Sequence, residues 1–241
     1  VFGLYAGEDI KNMQGKVVVE KDTLLETKAT DQEGRLTFES DLWHGHYYVK
    51  EDQHLPGYLP NDEIWEIDAT YEDQNLPAIL LEKEVENQPT ESYFTKTDIV
   101  TGEPVEGAKL QILDEEGTVV REWITTKEEH LEYALPAGNY FLHEELPPLE
   151  DGYVSAEDVS FEVKEDGTIT KVEMQDDFSK VDISKTDITG DTELVGVKLQ
   201  VLNSKEEVLD EWISDGTEHR IEYLPVGEEL TLRETQTISG Y

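Results

Sequence analysis

The chain has 241 residues, with 57 Asp and Glu against 19 Lys and Arg, a formal net charge of −38. So acidic a composition excludes nucleic-acid binding, which needs clustered Lys and Arg on phosphate, and docking on an anionic membrane surface. There are no cysteines, which excludes disulfides, thiol catalysis and cysteine-ligated zinc; the 4 Trp, 11 Tyr and 6 Phe suffice to anchor several small cores.

In chain order, "IKNMQGKVVVEKDTLLET" (10–27) reads as an extra hairpin or a long loop, followed by a turn at Gln32-Glu-Gly34. The stretch "WHGHYYVKE" (43–51) reads as a strand, and a Gly57-Tyr58 pair follows it. A short linker, "ENQPTES" (86–92), leads to the strand "YFTKTD" (93–98). Next come "GAKLQILDEEGTVVREWI" (107–124), turning at Asp114–Gly117, and "YALPAGNYFLHEE" (133–145), and Gly152-Tyr153 follows. After a turn at Glu165-Asp-Gly167 the strand holding Val172, Met174 and Asp176 closes the block, and "DFSK" (177–180) is the second linker. "VDISKTD" (181–187), "GVKLQVLNSKEEVLDEWI" (196–213) and "EYLPVGEELTLRET" (222–235) then repeat the middle block at an offset of 89 residues, up to Gly240-Tyr241.

The repeats define three tandem modules. The first, 1–91, lacks its N-terminal strand; the second, 92–178, is complete; the third, 179–241, lacks its C-terminal strands. The opening at Val1 and the close after Ser239-Gly-Tyr read as cuts through a longer chain. Short segments with period-two alternation and polar turns predict an all-β fold of tandem Ig-like sandwiches, each of about seven strands. Neither linker is a Gly/Ser tether, so the expected arrangement is an elongated, semi-rigid rod and a monomer. No stretch approaches the 18 apolar residues of a membrane span, so no membrane insertion is expected of this segment.

Strand parity exposes an oddity. Residues i, i+2 and i+4 share a face, which groups Phe94 with Lys96, and Val181 and Ile183 with Lys185. Glutamate obeys the same rule at Glu51, Glu144 and Glu234, and each module position is matched in the others. Val172 and Met174 align with Asp176, and Val85 aligns with Asn87, whereas Asp177 faces outward. Charges on an apolar face cost several kcal/mol, on the order given by desolvation, unless they are paired or neutralised. Chemistry alone leaves two readings open, a structural Lys–Glu salt bridge or a reactive cluster.

The succession "TKTD", "GEPVEGAKLQIL", "LPAGNYFLHE", a Gly-Tyr pair and "VEMQDDF" resembles the CnaB-type (SpaA-like, prealbumin-like) domain repeats of Gram-positive cell-wall-anchored surface proteins and pilins. The resemblance covers essentially the whole chain. It implies a spontaneous intramolecular isopeptide bond between Lys96 and Asp176, assisted by Glu144. Glu51 and Asn87 in the first module, and Lys185 and Glu234 in the third, would be the equivalent positions. The implied function is a structural stalk of an extracellular, cell-wall-anchored adhesin or pilus-like protein, without enzymatic turnover and without a cofactor. The alternative is that the modules themselves bind a host matrix protein or glycan.

Other candidates are weaker. His44-Gly-His46 falls on a turn without carboxylate spacing, so no metal site is expected, and the acidic turns lack EF-hand spacing. Trp123 and Trp212 recur at the repeat offset and read as packing residues, whereas Trp43 and Trp65, unique to the first module, are the ligand-surface candidates.

Overall fold

In the computed structural model, which describes residues 1–69 and 84–240, strands alternate with tight polar turns. Four of the turns share one device. The side-chain Oδ1 of Asn12, Asp31, Asp114 or Asn203 accepts from the backbone N–H groups two and four residues on. The fourth residue of each turn has positive φ, between 62° and 80°. Asx side chains mimic a backbone turn in this way, and Gly fills three of the four left-handed positions without strain.

The chain packs as two compact units. One comprises Val1–Ser92, Glu132–Gly138 and Val163–Thr170; the other comprises Tyr93–Leu131, Asn139–Glu162 and Lys171–Tyr241. In the first, β1 (Phe2–Ala6), β2 (Ile10–Lys11), β3 (Val17–Val19), β4 (Leu24–Lys28), β5 (Gly45–Glu51) and β6 (Ile64–Ala69) follow in order. The insertion forms the β2–β3 hairpin, and the main sheet runs β4-β1-β5-β6. Leu4, Ala6, Ile10, Tyr47 and Ala69 form its core, with Val19, Leu25, Phe38 and Val49 packed around them. The inward residues of β1 and β5 alternate as the pleat requires, with Leu4 opposite Val49 and Ala6 opposite Tyr47.

The middle of the chain forms β7 (Glu91–Asp98), β8 (Lys109–Leu113), β9 (Val119–Ile124), β10 (His130–Tyr133), β11 (Gly138–Leu146), β12 (Val159–Val163) and β13 (Thr170–Asp176). They build a sandwich of two sheets, β10-β7-β13 and β12-β11-β8-β9. Phe94 of β7 reaches across to Trp123 and Phe161, each with ring centroids 5.3 Å away. Leu110, Ile112, Leu142 and Met174 are almost wholly out of water beside them. This is the seven-strand sandwich that the alternation predicts.

The last stretch repeats that order as β14 (Lys180–Ile183), β15 (Val195–Leu202), β16 (Val208–Asp215), β17 (His219–Glu222) and β18 (Thr231–Gln236). Its sheets are β14-β17 and β16-β15-β18. Among the described residues β14 has one neighbour, where β7 lies between two. Val181 is accordingly 38% exposed, whereas Ile183 on the same face packs against Val201, Ile221 and Leu224; the face points inward as expected, and its full burial at Val181 is what is corrected here. Tyr241, the last residue of the third Gly-Tyr pair, lies outside the described residues.

Candidate functional site

The central cluster follows from strand parity on three strands. β7 turns Ser92, Phe94, Lys96 and Asp98 inward. β13 does the same with Val172, Met174 and Asp176, and β11 with Tyr140, Leu142 and Glu144. β7 and β13 are neighbours in one sheet, and β11 belongs to the facing sheet. The lysine therefore meets one acid beside it and another across the sandwich.

Lys96 Nζ contacts Asp176 Oδ1 and lies 3.1 Å from Glu144 Oε1. The lysine side chain is 1% exposed and both acid side chains are 0% exposed. Glu144 is oriented by the Ala156 N–H, which donates to its Oε2 at 2.8 Å. The Asp176 backbone is pinned by the Ile99 N–H, 2.9 Å from its carbonyl oxygen. Yet Lys96 Nζ, Glu144 Oε1 and both Asp176 carboxyl oxygens make no well-aligned hydrogen bond. Three ionisable groups sealed together from water have little besides one another to offset their desolvation.

Electrostatics points the same way. Burial pushes the Asp176 carboxyl up to about 6; Lys96 pulls it back, and Glu144 adds to the rise. A protonated carboxyl in contact with an amine is an electrophile beside a nucleophile, and a second acid within reach of both can carry protons. Asp177 takes no part in this cluster. Its carboxylate is half-exposed, accepts from Lys180 Nζ at 2.6 Å and is held below the usual range by that bond.

The equivalent residues elsewhere are placed differently. Glu51 is half-buried, with Oε2 out of water and without a hydrogen bond, while Asn87 is exposed and outside any strand. Lys185 Nζ lies 3.0 Å from Glu234 Oε2, each side chain 33% exposed, and this contact lowers the Glu234 carboxyl. Lys185 sits just past the end of β14.

The remaining candidates sort by packing. Trp123 stacks on His130 at 4.1 Å and Trp212 on His219 at 4.3 Å, a repeated pair that serves packing. Trp65 is 7% exposed and packs near Phe2, so its reading as a ligand surface is corrected: β6 turns it to the inner face. Trp43 is 54% exposed. His44 and His46 are exposed, and among the described residues no group of His, Asp and Glu is arranged to hold a metal ion. Sequence reasoning missed Asp98, which is 2% exposed and accepts from the N–H groups of Val100 and Thr101 at 2.8 Å. Its repetition as Asp187 in "SKTD" was the available signal.

Repeated β-sandwiches with an ionisable cluster strung between first strand, last strand and facing sheet mark a class of tandem β-repeat protein. The model of the SpaA prealbumin-like fold domain matches residues 2–82, 91–177 and 179–241, and the chain belongs to that family. Among solved structures, the Bacillus anthracis TIE protein is similar at 26% identity and a TM-score of 0.52. That match covers 98% of this chain and 42% of the TIE chain, so this chain spans well under half of it. A streptococcal ancillary pilin matches at 20% identity and a TM-score of 0.39, over 83% of this chain and 69% of its own. The shaft pilin SpaA from Lactobacillus rhamnosus GG matches at 15% identity and a TM-score of 0.32, over 63% and 89%. A comparison with curated proteins finds no match.

Proposed function

We propose that this chain is a stalk segment of a Gram-positive cell-surface or pilus-like protein, extracellular and wall-anchored through its parent, in which the modules 1–91, 92–178 and 179–241 are structural units. Its middle module is strapped by an isopeptide bond between Lys96 and Asp176. The observation that carries this reading is the sealed contact of Lys96 Nζ with Asp176, with Glu144 3.1 Å from the same nitrogen. Family membership supports it.

The step balances without an outside reagent. The neutral Lys96 amine attacks Cγ of protonated Asp176, forming a C–N bond. Glu144 takes a proton from the nitrogen and delivers it to the departing hydroxyl. The C–O bond breaks, water leaves, and one neutral amide stands where an amine and an acid had to be kept out of water. Holding the two groups in contact supplies an effective molarity that free amine and carboxylate lack in water. Each chain reacts once, so this is self-processing rather than turnover. The bond closes a loop of about 80 residues, and by analogy with a disulfide of that span it stabilises the fold by about 4–5 kcal/mol. Unlike a disulfide, it resists reduction.

Fragmentation of a tryptic digest tests the assignment. A branched peptide joining the Lys96 and Asp176 segments is expected; separate linear peptides carrying a free Lys96 would contradict it.

A further inference from the structure

The two linkers make the same set of contacts, residue for residue. At the first, the Thr90 N–H donates to Gly57 O at 2.9 Å, the Leu59 N–H to Gln88 O at 2.8 Å and the Ala134 N–H to Thr90 O at 3.0 Å. At the second, the Ser179 N–H donates to Gly152 O at 2.8 Å, the Val154 N–H to Asp177 O at 3.0 Å and the Tyr223 N–H to Ser179 O at 3.0 Å. Each linker hydroxyl then reaches the carbonyl that precedes a proline: Thr90 Oγ1 donates to Leu135 O at 2.6 Å, and Ser179 Oγ to Leu224 O at 2.7 Å. Short bridges, Tyr58 with Pro89 and Tyr153 with Phe178, complete both sets.

Backbone conformation is matched as well. Gly57 and Gly152 both have φ of 84°, and the residues they face, Ala134 and Tyr223, are non-glycines at φ 55° and 59°. A Cβ on Gly57 would lie 2.6 Å from the Ala134 carbonyl carbon, and one on Gly152 would lie 2.5 Å from Tyr223 Cα. Each glycine is thus required twice, for its left-handed φ and for the close approach of another backbone. Non-glycine residues in the left-handed region are strained, and the strain persists only where surrounding contacts hold them.

We infer that the Gly-Tyr pair and the hydroxyl residue after it in each linker form a docking surface whose partner is the Leu-Pro turn of the following repeat. The joint is built twice in this chain. It converts each linker from a tether into a lock, because the linker backbone is bonded on one side to the repeat it leaves and on the other to the turn it meets. The second joint has an added grip. The Tyr223 hydroxyl donates to Asp98 Oδ2 at 2.9 Å, and the ring stacks on Phe178 at 4.0 Å. Asp98 ends β7, two residues beyond Lys96, and Phe178 stands two beyond Asp176, so this joint grips the chain next to both proposed strap ends. Ala134 has no side chain with which to make the corresponding contacts at the first joint.

Hydrogen exchange on the whole chain tests the joint, with Gly152→Ala, Ser179→Ala and Tyr223→Phe compared with the parent. In Gly152→Ala the amides of Val154, Ser179 and Tyr223 are expected to exchange at least about tenfold faster, because strain and overlap both oppose the docked state. Ser179→Ala, which removes one hydrogen bond, is expected to give about a fivefold change at Ser179 and Tyr223, and Tyr223→Phe a smaller one. The amides of β8 and β11 should keep parent rates in all three. Parent-like exchange at Ser179 and Tyr223 in both Gly152→Ala and Ser179→Ala would overturn the lock. Equal acceleration of β8 and β11 in Ser179→Ala would also overturn it, since the hydroxyl would then serve general stability. The joint does not depend on the isopeptide bond, which the digest reports separately.

Discussion

Asp176 is the residue on which the proposed chemistry turns, because it is the acid whose ionisation the fold opposes. Its carboxyl belongs near 3.8 in solution and is pushed up to about 6 by burial. A raised carboxyl stabilises the fold fully below its unfolded pKa, and that contribution is lost as pH rises through the folded value. The consequence is observable only where the strap is absent, as expected in Glu144→Gln, which leaves the burial of Asp176 in place. Stability of that variant should fall between about pH 4 and pH 6, by less than the roughly 3 kcal/mol that the full rise implies, because the part of the rise due to Glu144 is gone. The reference is the double variant that adds Asp176→Asn, which lacks the titration. Urea midpoints measured across that range check the sign; a difference that grows with pH would contradict the assignment.

At the scale of elements, what matters is that β7, β11 and β13 each keep period-two alternation through their charged residue. Leu142 stands between Tyr140 and Glu144 on the inner face of β11 and is 0% exposed, so it fixes the register that delivers Glu144. Leu142→Ala should cost about 2–5 kcal/mol in urea unfolding, and a change below about 1 kcal/mol would mean the core does not hold that strand as described. Such alternation is local, which is why the inward positions of Lys96, Glu144 and Asp176, and the outward one of Asp177, were legible in the sequence. Features that depend on what lies opposite were not. Trp65 looked available for a ligand because an aromatic residue reads alike on either face of a strand. Val181 looked buried because its own strand alternates, but burial needs a neighbouring strand. The joint residues escaped notice because the sign of φ at Gly57 or Gly152 is invisible in a Gly-Tyr pair, and because Tyr223 meets Asp98 across 125 residues.

For the molecule as a whole, the formal charge of −38 sets the surface and the buried cluster sets the interior. Crowded carboxylates repel one another in the folded state, and salt screens them over about 10 Å at 0.1 M and about 3 Å at 1 M. The melting temperature should therefore rise as sodium chloride is raised from 10 mM toward 0.5 M; a fall would show that surface ion pairs outweigh the repulsion. The proposed strap would act against a different term, the entropy of the unfolded chain, and its contribution should be insensitive to salt. Whether Lys96 and Asp176 are joined is read from the intact mass of the whole chain. A mass one water below that of the sequence is expected, restored to the full value in Lys96→Ala and in Glu144→Ala. An unmodified mass for the parent chain would contradict it.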